Sequence, residues 1–168
     1  MVKEYDNFLT EDECNFIIGL GESTQLIFGR TSTNKVGYRK TRVCWLEESI
    51  PIIRSIKNKV AELSEIPFEN QENFHFVKYG PGGEYKKHHD GGDRPKTALI
   101  YLNDGFTGGE TEFPKLGIKV KPKTGKLIIW DNASIDGVED ETAIHAGLPV
   151  EVGTKYIGVI WIKNKKIK

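Results

Sequence analysis

The chain has 168 residues, 38% hydrophobic and 29% charged, with 24 basic and 24 acidic side chains in formal balance. That is enough for one domain with a buried core, and the neutral balance excludes a nucleic-acid or membrane binder driven by bulk charge. No apolar run nears bilayer-spanning length and "MVKEYDNFLTEDEC" holds no stretch of signal-peptide length, so a cytoplasmic chain without nucleic-acid or membrane partners is expected.

Thr10 and Glu13 have the spacing of a capping box, which predicts a helix starting in "EDECNFIIGL". Gly19 and Gly21 stand where that helix is expected to stop. Cys14 and Cys44 are expected to be free, packed thiols, with pairing between them left open. In "EESIPIIRSIKNKVAELSE", Ile52, Ile53, Ile56, Val60 and Leu63 recur at helical spacing, and Pro51 suits a first turn.

After Pro67 short β-type runs alternate with turns: "NFHFVKY", "EYKKHH", "KTALIYL", "GIKV", "KLIIW" and "KYIGVIWI". The expectation is a single domain over residues 1–168, mainly β with N-terminal helices (α+β by content). About 1–65 would form a helical layer on a β-core of about 66–168, an antiparallel sandwich or barrel. The tail "KNKKIK" reads as a solvated end.

The stretch "YGPGGEYKKHHDGGD" carries the chemistry. On a strand, His88 and Asp90 point to one face and His89 to the other. Two imidazoles and a carboxylate form the facial triad of non-heme iron(II) oxygenases, which leaves open positions for a co-substrate and dioxygen. The other histidines are His75, amid apolar residues on an expected strand, and His145, which opens a short strand after an acidic segment. Lys155 lies in the apolar strand "KYIGVIWI". Alone, such a lysine snorkels to solvent. Beside a triad, it can hold the far carboxylate of a dicarboxylate.

In their order, "VKYGPGGEYKKHHD", "ALIYLND", "GGETEFP", "IKVKPKTGKLIIW" and "HAGLPVEVGTKY" resemble the prolyl 4-hydroxylase-like family of iron(II)/2-oxoglutarate dioxygenases over nearly the whole chain. The resemblance implies a double-stranded β-helix (jelly roll) core. It implies iron ligation by His88, Asp90 and His145. It implies that Lys155, with Tyr79 and Thr111, holds the C5 carboxylate of 2-oxoglutarate, and that Tyr85, Arg94 and Trp161 line a peptide groove. His89 becomes a supporting or surface residue.

The same resemblance implies dioxygen as co-substrate, ascorbate to rescue the iron, and a proline-containing peptide or protein as substrate. Tyr156 departs from the tryptophan common after the lysine. The chain also has no room for the separate peptide-binding domain of the collagen-type enzymes, which counts against collagen as substrate. A free amino acid, another protein side chain, or a non-catalytic binding module on the same fold are the alternatives. Oligomeric state is not legible.

Overall fold

The computed structural model describes residues 1–31 and 36–167. In chain order the elements are β1 (Val2–Tyr5), α1 (Glu11–Ser23), β2 (Ile27–Phe28), β3 (Arg42–Leu46), α2 (Pro51–Ser64), β4 (Phe74–Tyr79), β5 (Tyr85–His88) and β6 (Lys96–Tyr101). Then come β7 (Thr107–Gly108), β8 (Thr111–Phe113), β9 (Ile118–Val120), β10 (Leu127–Asp131), β11 (His145–Gly147), β12 (Val150–Val152) and β13 (Lys155–Ile162). A seven-stranded sheet runs β1-β10-β6-β13-β4-β3-β2, and a four-stranded sheet runs β5-β11-β8-β9. All pairings are antiparallel. Two sheets face to face, with helices behind the larger one, make a jelly-roll core with N-terminal helices.

Strand alternation sorts the core into two layers. Phe74 and Phe76 of β4, Ala98 and Ile100 of β6, and Ile160 and Ile162 of β13 pack with Cys14, Ile17, Ile53, Ile56 and Val60 of the helices. Their neighbours face the small sheet: Val77 and Tyr79, Leu99 and Tyr101, Ile157 and Val159. Each fully buried aliphatic side chain contributes about 1.5–3 kcal/mol relative to exposure. Both faces of the large sheet are therefore held by burial.

Thr10 caps α1 as its spacing predicts. The Glu13 N–H donates to Thr10 Oγ1 (3.1 Å) and the Thr10 N–H to Glu13 Oε1 (3.0 Å). The expected stop at Gly19 and Gly21 is wrong, because the helix continues to Ser23. Gly21 serves packing instead: a Cβ there would lie 2.3 Å from the Phe76 ring. The segment before residue 66 is also more than a helical layer. It supplies β1, β2 and β3, which extend both ends of the large sheet. Cys14 and Cys44 are free and buried, and burial pushes both thiols up to about 11. Among the described residues, no helix is long and apolar enough to cross a membrane.

Candidate active site

β5 and β11 pair antiparallel with His88 directly opposite His145. β5 ends at His88, so Asp90 lies just beyond the strand rather than on it as the spacing suggested; Gly91, at φ 101°, then turns the chain. The result still brings the three side chains together. One ligand atom from each of His88, Asp90 and His145 fits within 4.8 Å of the others. Asp90 Oδ1 is 3.5 Å from His88 Nε2 and 3.8 Å from His145 Nε2.

The surrounding hydrogen bonds aim these atoms. His88 Nδ1 donates to the Lys86 carbonyl (2.7 Å) and His145 Nδ1 to the Ala143 carbonyl (2.8 Å). Each ring is thereby left with its Nε2 lone pair facing the other ligands. Burial, reinforced by His145, lowers the His88 pKa and favours the neutral imidazole that a metal needs. Asp90 is fixed by a relay from the large sheet. Trp130 Nε1 donates to Asn132 Oδ1 (2.7 Å), Asn132 Nδ2 to Thr97 Oγ1 (2.8 Å), and the Thr97 hydroxyl to Asp90 Oδ2 (2.7 Å). Burial opposes the Asp90 charge, but His145, His88 and this hydroxyl together hold its carboxyl below the usual range. A donor set of two imidazole nitrogens and one carboxylate oxygen fits iron(II) and leaves coordination positions open.

His89 turns away. Its Nε2 donates to the Asn132 and Asp140 carbonyls, both at 3.1 Å, while its Nδ1 accepts from the Gly91 N–H at 3.0 Å. Both ring nitrogens are used, so His89 has no lone pair for a metal. His75 is also elsewhere. Its ring lies between Trp45 and Trp161, at 5.0 and 4.9 Å, and its Nε2 accepts from Arg39 Nη2 at 2.9 Å. Burial, Arg39 and Arg94 push its pKa down to about 3.

The inner end of the cavity lies between the sheets. Lys155 and Tyr79 are cross-strand partners, with Lys155 Nζ 4.4 Å from the centre of the Tyr79 ring. Thr111, on β8, faces them, and its hydroxyl is 2.5 Å from the Tyr101 hydroxyl. Lys155 is 1% exposed. Among the described residues it has no carboxylate in ion-pair range, and burial drives its ammonium down to about 7 despite Glu110. A buried cation without a counter-ion is costly unless a ligand supplies the negative charge.

At the other end the cavity opens into a cleft of about 610 Å³ lined by Arg39, Trp45, Tyr85, Arg94 and Trp161, among others. The Tyr85 ring is stacked on His88 at 3.6 Å, with the Arg39 guanidinium 4.6 Å from its centre. Arg94 lies 4.4 Å from the centre of the Trp161 ring, but its fork is committed to Glu72 through bonds of 2.8 and 3.1 Å. Arg39, Thr97, Tyr101 and Asn132 escaped the sequence reading. For Thr97 and Tyr101 a signal existed: with Leu99 they form the alternate positions of β6.

A jelly roll with an iron-type triad at its mouth and a buried cation without a carboxylate partner inside, among the described residues, defines an iron-dependent oxygenase that uses a dicarboxylate. The profile of the 2OG-Fe(II) oxygenase superfamily matches residues 74–163, and the chain belongs to that superfamily. It is a 2-oxoglutarate-dependent dioxygenase, with iron(II) as its metal and dioxygen as the second co-substrate. Among relatives, prolyl 4-hydroxylase 1 of Arabidopsis thaliana is 31% identical over 190 residues, covering 95% of this chain and 67% of that one. A putative prolyl 4-hydroxylase of Acanthamoeba polyphaga mimivirus is 29% identical over 96% of this chain and 73% of its own. A viral collagen prolyl hydroxylase of Paramecium bursaria Chlorella virus-1, solved with 2-oxoglutarate, superposes with a TM-score of 0.83 at 30% identity, covering 96% of this chain and 95% of that one. A chain of matching extent thus carries a collagen hydroxylase's name.

Proposed function

We propose that the protein hydroxylates prolyl residues in a peptide or protein, with His88, Asp90 and His145 holding iron(II) and Lys155 anchoring 2-oxoglutarate. The observation that carries this reading is Lys155, buried and unneutralised at the closed end of a cavity whose open end is a cleft beside the triad. The names of the relatives support a prolyl target. Residues 1–168 act as one domain in this reading, because the helices and the large sheet share a core. The buried free thiols suit a reducing compartment such as the cytoplasm.

Bound iron supplies the redox chemistry that couples oxidative decarboxylation of 2-oxoglutarate to C–H hydroxylation. The chain's own residues do the rest. The Lys155 ammonium meets the outer carboxylate, and the Tyr79 and Thr111 hydroxyls offer hydrogen bonds to the oxygen lone pairs it leaves. Val77, Leu99, Ile157 and Val159 line the cavity and exclude water. The Trp130–Asn132–Thr97 relay keeps Asp90 ionised and aimed. Tyr85 and Trp161 present ring surface to a chain lying in the cleft, and Arg94, braced by Glu72, flanks them.

The test incubates iron-loaded protein, 2-oxoglutarate and ascorbate with Pro-rich peptides, their Pro→Ala versions and free proline. Mass spectrometry and succinate release are the readouts. A gain of one oxygen on the Pro peptide alone is expected. Equal oxidation of free proline, or succinate release indifferent to all three, overturns the peptidyl-proline reading.

A further inference from the structure

In a chain of balanced charge, one rim of the cleft is rich in unpaired cations. The segment from Tyr38 to Lys40 runs antiparallel to Glu84–Lys86: Lys40 N–H donates to the Glu84 carbonyl, Lys86 N–H to the Tyr38 carbonyl, and Arg39 bridges to Tyr85. The Tyr38 hydroxyl donates to the Lys87 carbonyl. This pairing sets Arg39 in the cleft wall, with Arg30 beside it, and leaves Lys40, Lys86 and Lys87 exposed on the adjoining paired segments. Among the described residues none of these cations has a carboxylate in ion-pair range, and Glu84 is interspersed among them without neutralising one.

Arg39 shows the design most clearly. Its guanidinium donates to Thr41 Oγ1 at 3.0 Å, to the Arg30 carbonyl at 3.2 Å and to His75 Nε2 at 2.9 Å. Every partner is neutral, so the group is oriented while its charge stays uncompensated. The opposite rim is different. There Arg94 is matched by Glu72, Lys163 by Asp93 at 2.5 Å, and Glu139 stands 55% exposed beside His89. One side of the cleft is short of negative charge and the other is not.

We propose that the cleft selects an acidic substrate segment, in which aspartate or glutamate side chains lie on one side only of the modified residue and pair with Arg30, Arg39 and the adjoining Lys40, Lys86 and Lys87. This rests on the peptide-hydroxylase reading above and adds the class of sequence it takes. Clefts lined by one sign of charge concentrate the opposite one, and on the other side, where Arg94 and Lys163 are already matched and Glu139 is exposed, acids gain no partner.

The test measures fluorescence anisotropy of labelled peptides on the full chain. A short Ala–Pro host carries an Asp triplet before the proline, after it, on both sides, or not at all. One single-sided acidic peptide is expected to bind about tenfold tighter than the neutral host, as a few partly exposed ion pairs allow. The gain is expected to vanish at about 1 M salt, where screening reaches about 3 Å. It is also expected to vanish in K40E/K86E/K87E, which changes exposed side chains and leaves neutral-host binding unaltered. The preference overturns if the neutral host binds equally, or if both single-sided peptides gain alike. It also overturns if a single-stranded oligonucleotide of equal charge displaces the acidic peptide more readily than unlabelled peptide does, which marks a nucleic-acid surface. Pro→Ala peptides must keep the charge effect. If they keep it while no peptide gains oxygen, the hydroxylase reading falls and the acidic preference stands.

Discussion

The closed end of the cavity and its mouth solve opposite problems. Inside, Lys155, Tyr79 and Thr111 are each 3% exposed or less, and the one strong charge is left for a ligand to complete. At the mouth, Trp45 is 49% exposed, and Arg94 already has its carboxylate partner. A buried, unfilled cation specifies one small dianion. A half-open wall of rings and forks specifies a type of surface and tolerates exchange of its members. On the reading proposed above, chemistry shared across a superfamily belongs to the first region, and choice of target to the second.

The largest effect is expected between the two, at the ligands. His145→Ala should abolish stoichiometric iron(II) binding and reduce succinate formation at least about a hundredfold, measured by anaerobic metal titration and coupled turnover. Near-normal turnover would remove His145 from the triad.

Lys155→Ala tests the closed end. Losing one partner of a buried charge pair costs about 2–5 kcal/mol, so the 2-oxoglutarate KM should rise about thirtyfold to several thousandfold with iron binding intact. pH gives an independent check. Without ligand the folded-state ammonium titrates near 7, whereas the unfolded chain keeps its proton to about 10.4. Between these values the unfolded state binds more protons, so apo stability should rise with pH across the window. Affinity for 2-oxoglutarate should fall over the same window, because the ligand needs the charged form. Denaturant melts and co-substrate titrations at stepped pH would read both, and Lys155→Met should flatten both slopes.

Thr97→Val removes only the hydroxyl that holds Asp90, and iron affinity should weaken about ten- to a hundredfold, read by competition with a chelator. Trp161→Ala sharpens the contrast from the other side. The peptide KM should rise about five- to thirtyfold while the 2-oxoglutarate KM stays fixed. The reverse pattern would assign Trp161 to the inner end. The smallest effect belongs to His89→Ala, whose iron affinity should stay within about threefold of the parent while stability drops by about 1–3 kcal/mol as carbonyls lose their donor.

The same division governs what the sequence discloses. His88, Asp90, His145 and Lys155 are legible because their chemistry demands particular residue types at spacings set by strands. Arg39 is not, because it reaches the cleft only through the pairing of Tyr38–Lys40 with β5, a contact between segments some 45 residues apart. β1 and β2 were missed because short edge strands carry little periodicity. Gly21 misled for a related reason. A glycine required by a ring on another element looks, in one dimension, like a glycine that ends a helix.

β13 carries Lys155 at one end and Trp161 near the other, six residues apart on the same face. At about 3.3 Å per residue that is about 20 Å of strand, paired with β4 from Lys155 to Val159 and with β6 from Ile157 to Ile162. On the proposed reading, the strand is in effect a ruler that fixes the distance from the co-substrate's tail to the substrate's wall. Deleting one residue between the two marks would not shorten the ruler. It would turn one end over, into the layer that packs on the helices. Specificity here can change by repainting the marks, and the scale itself cannot be altered one residue at a time.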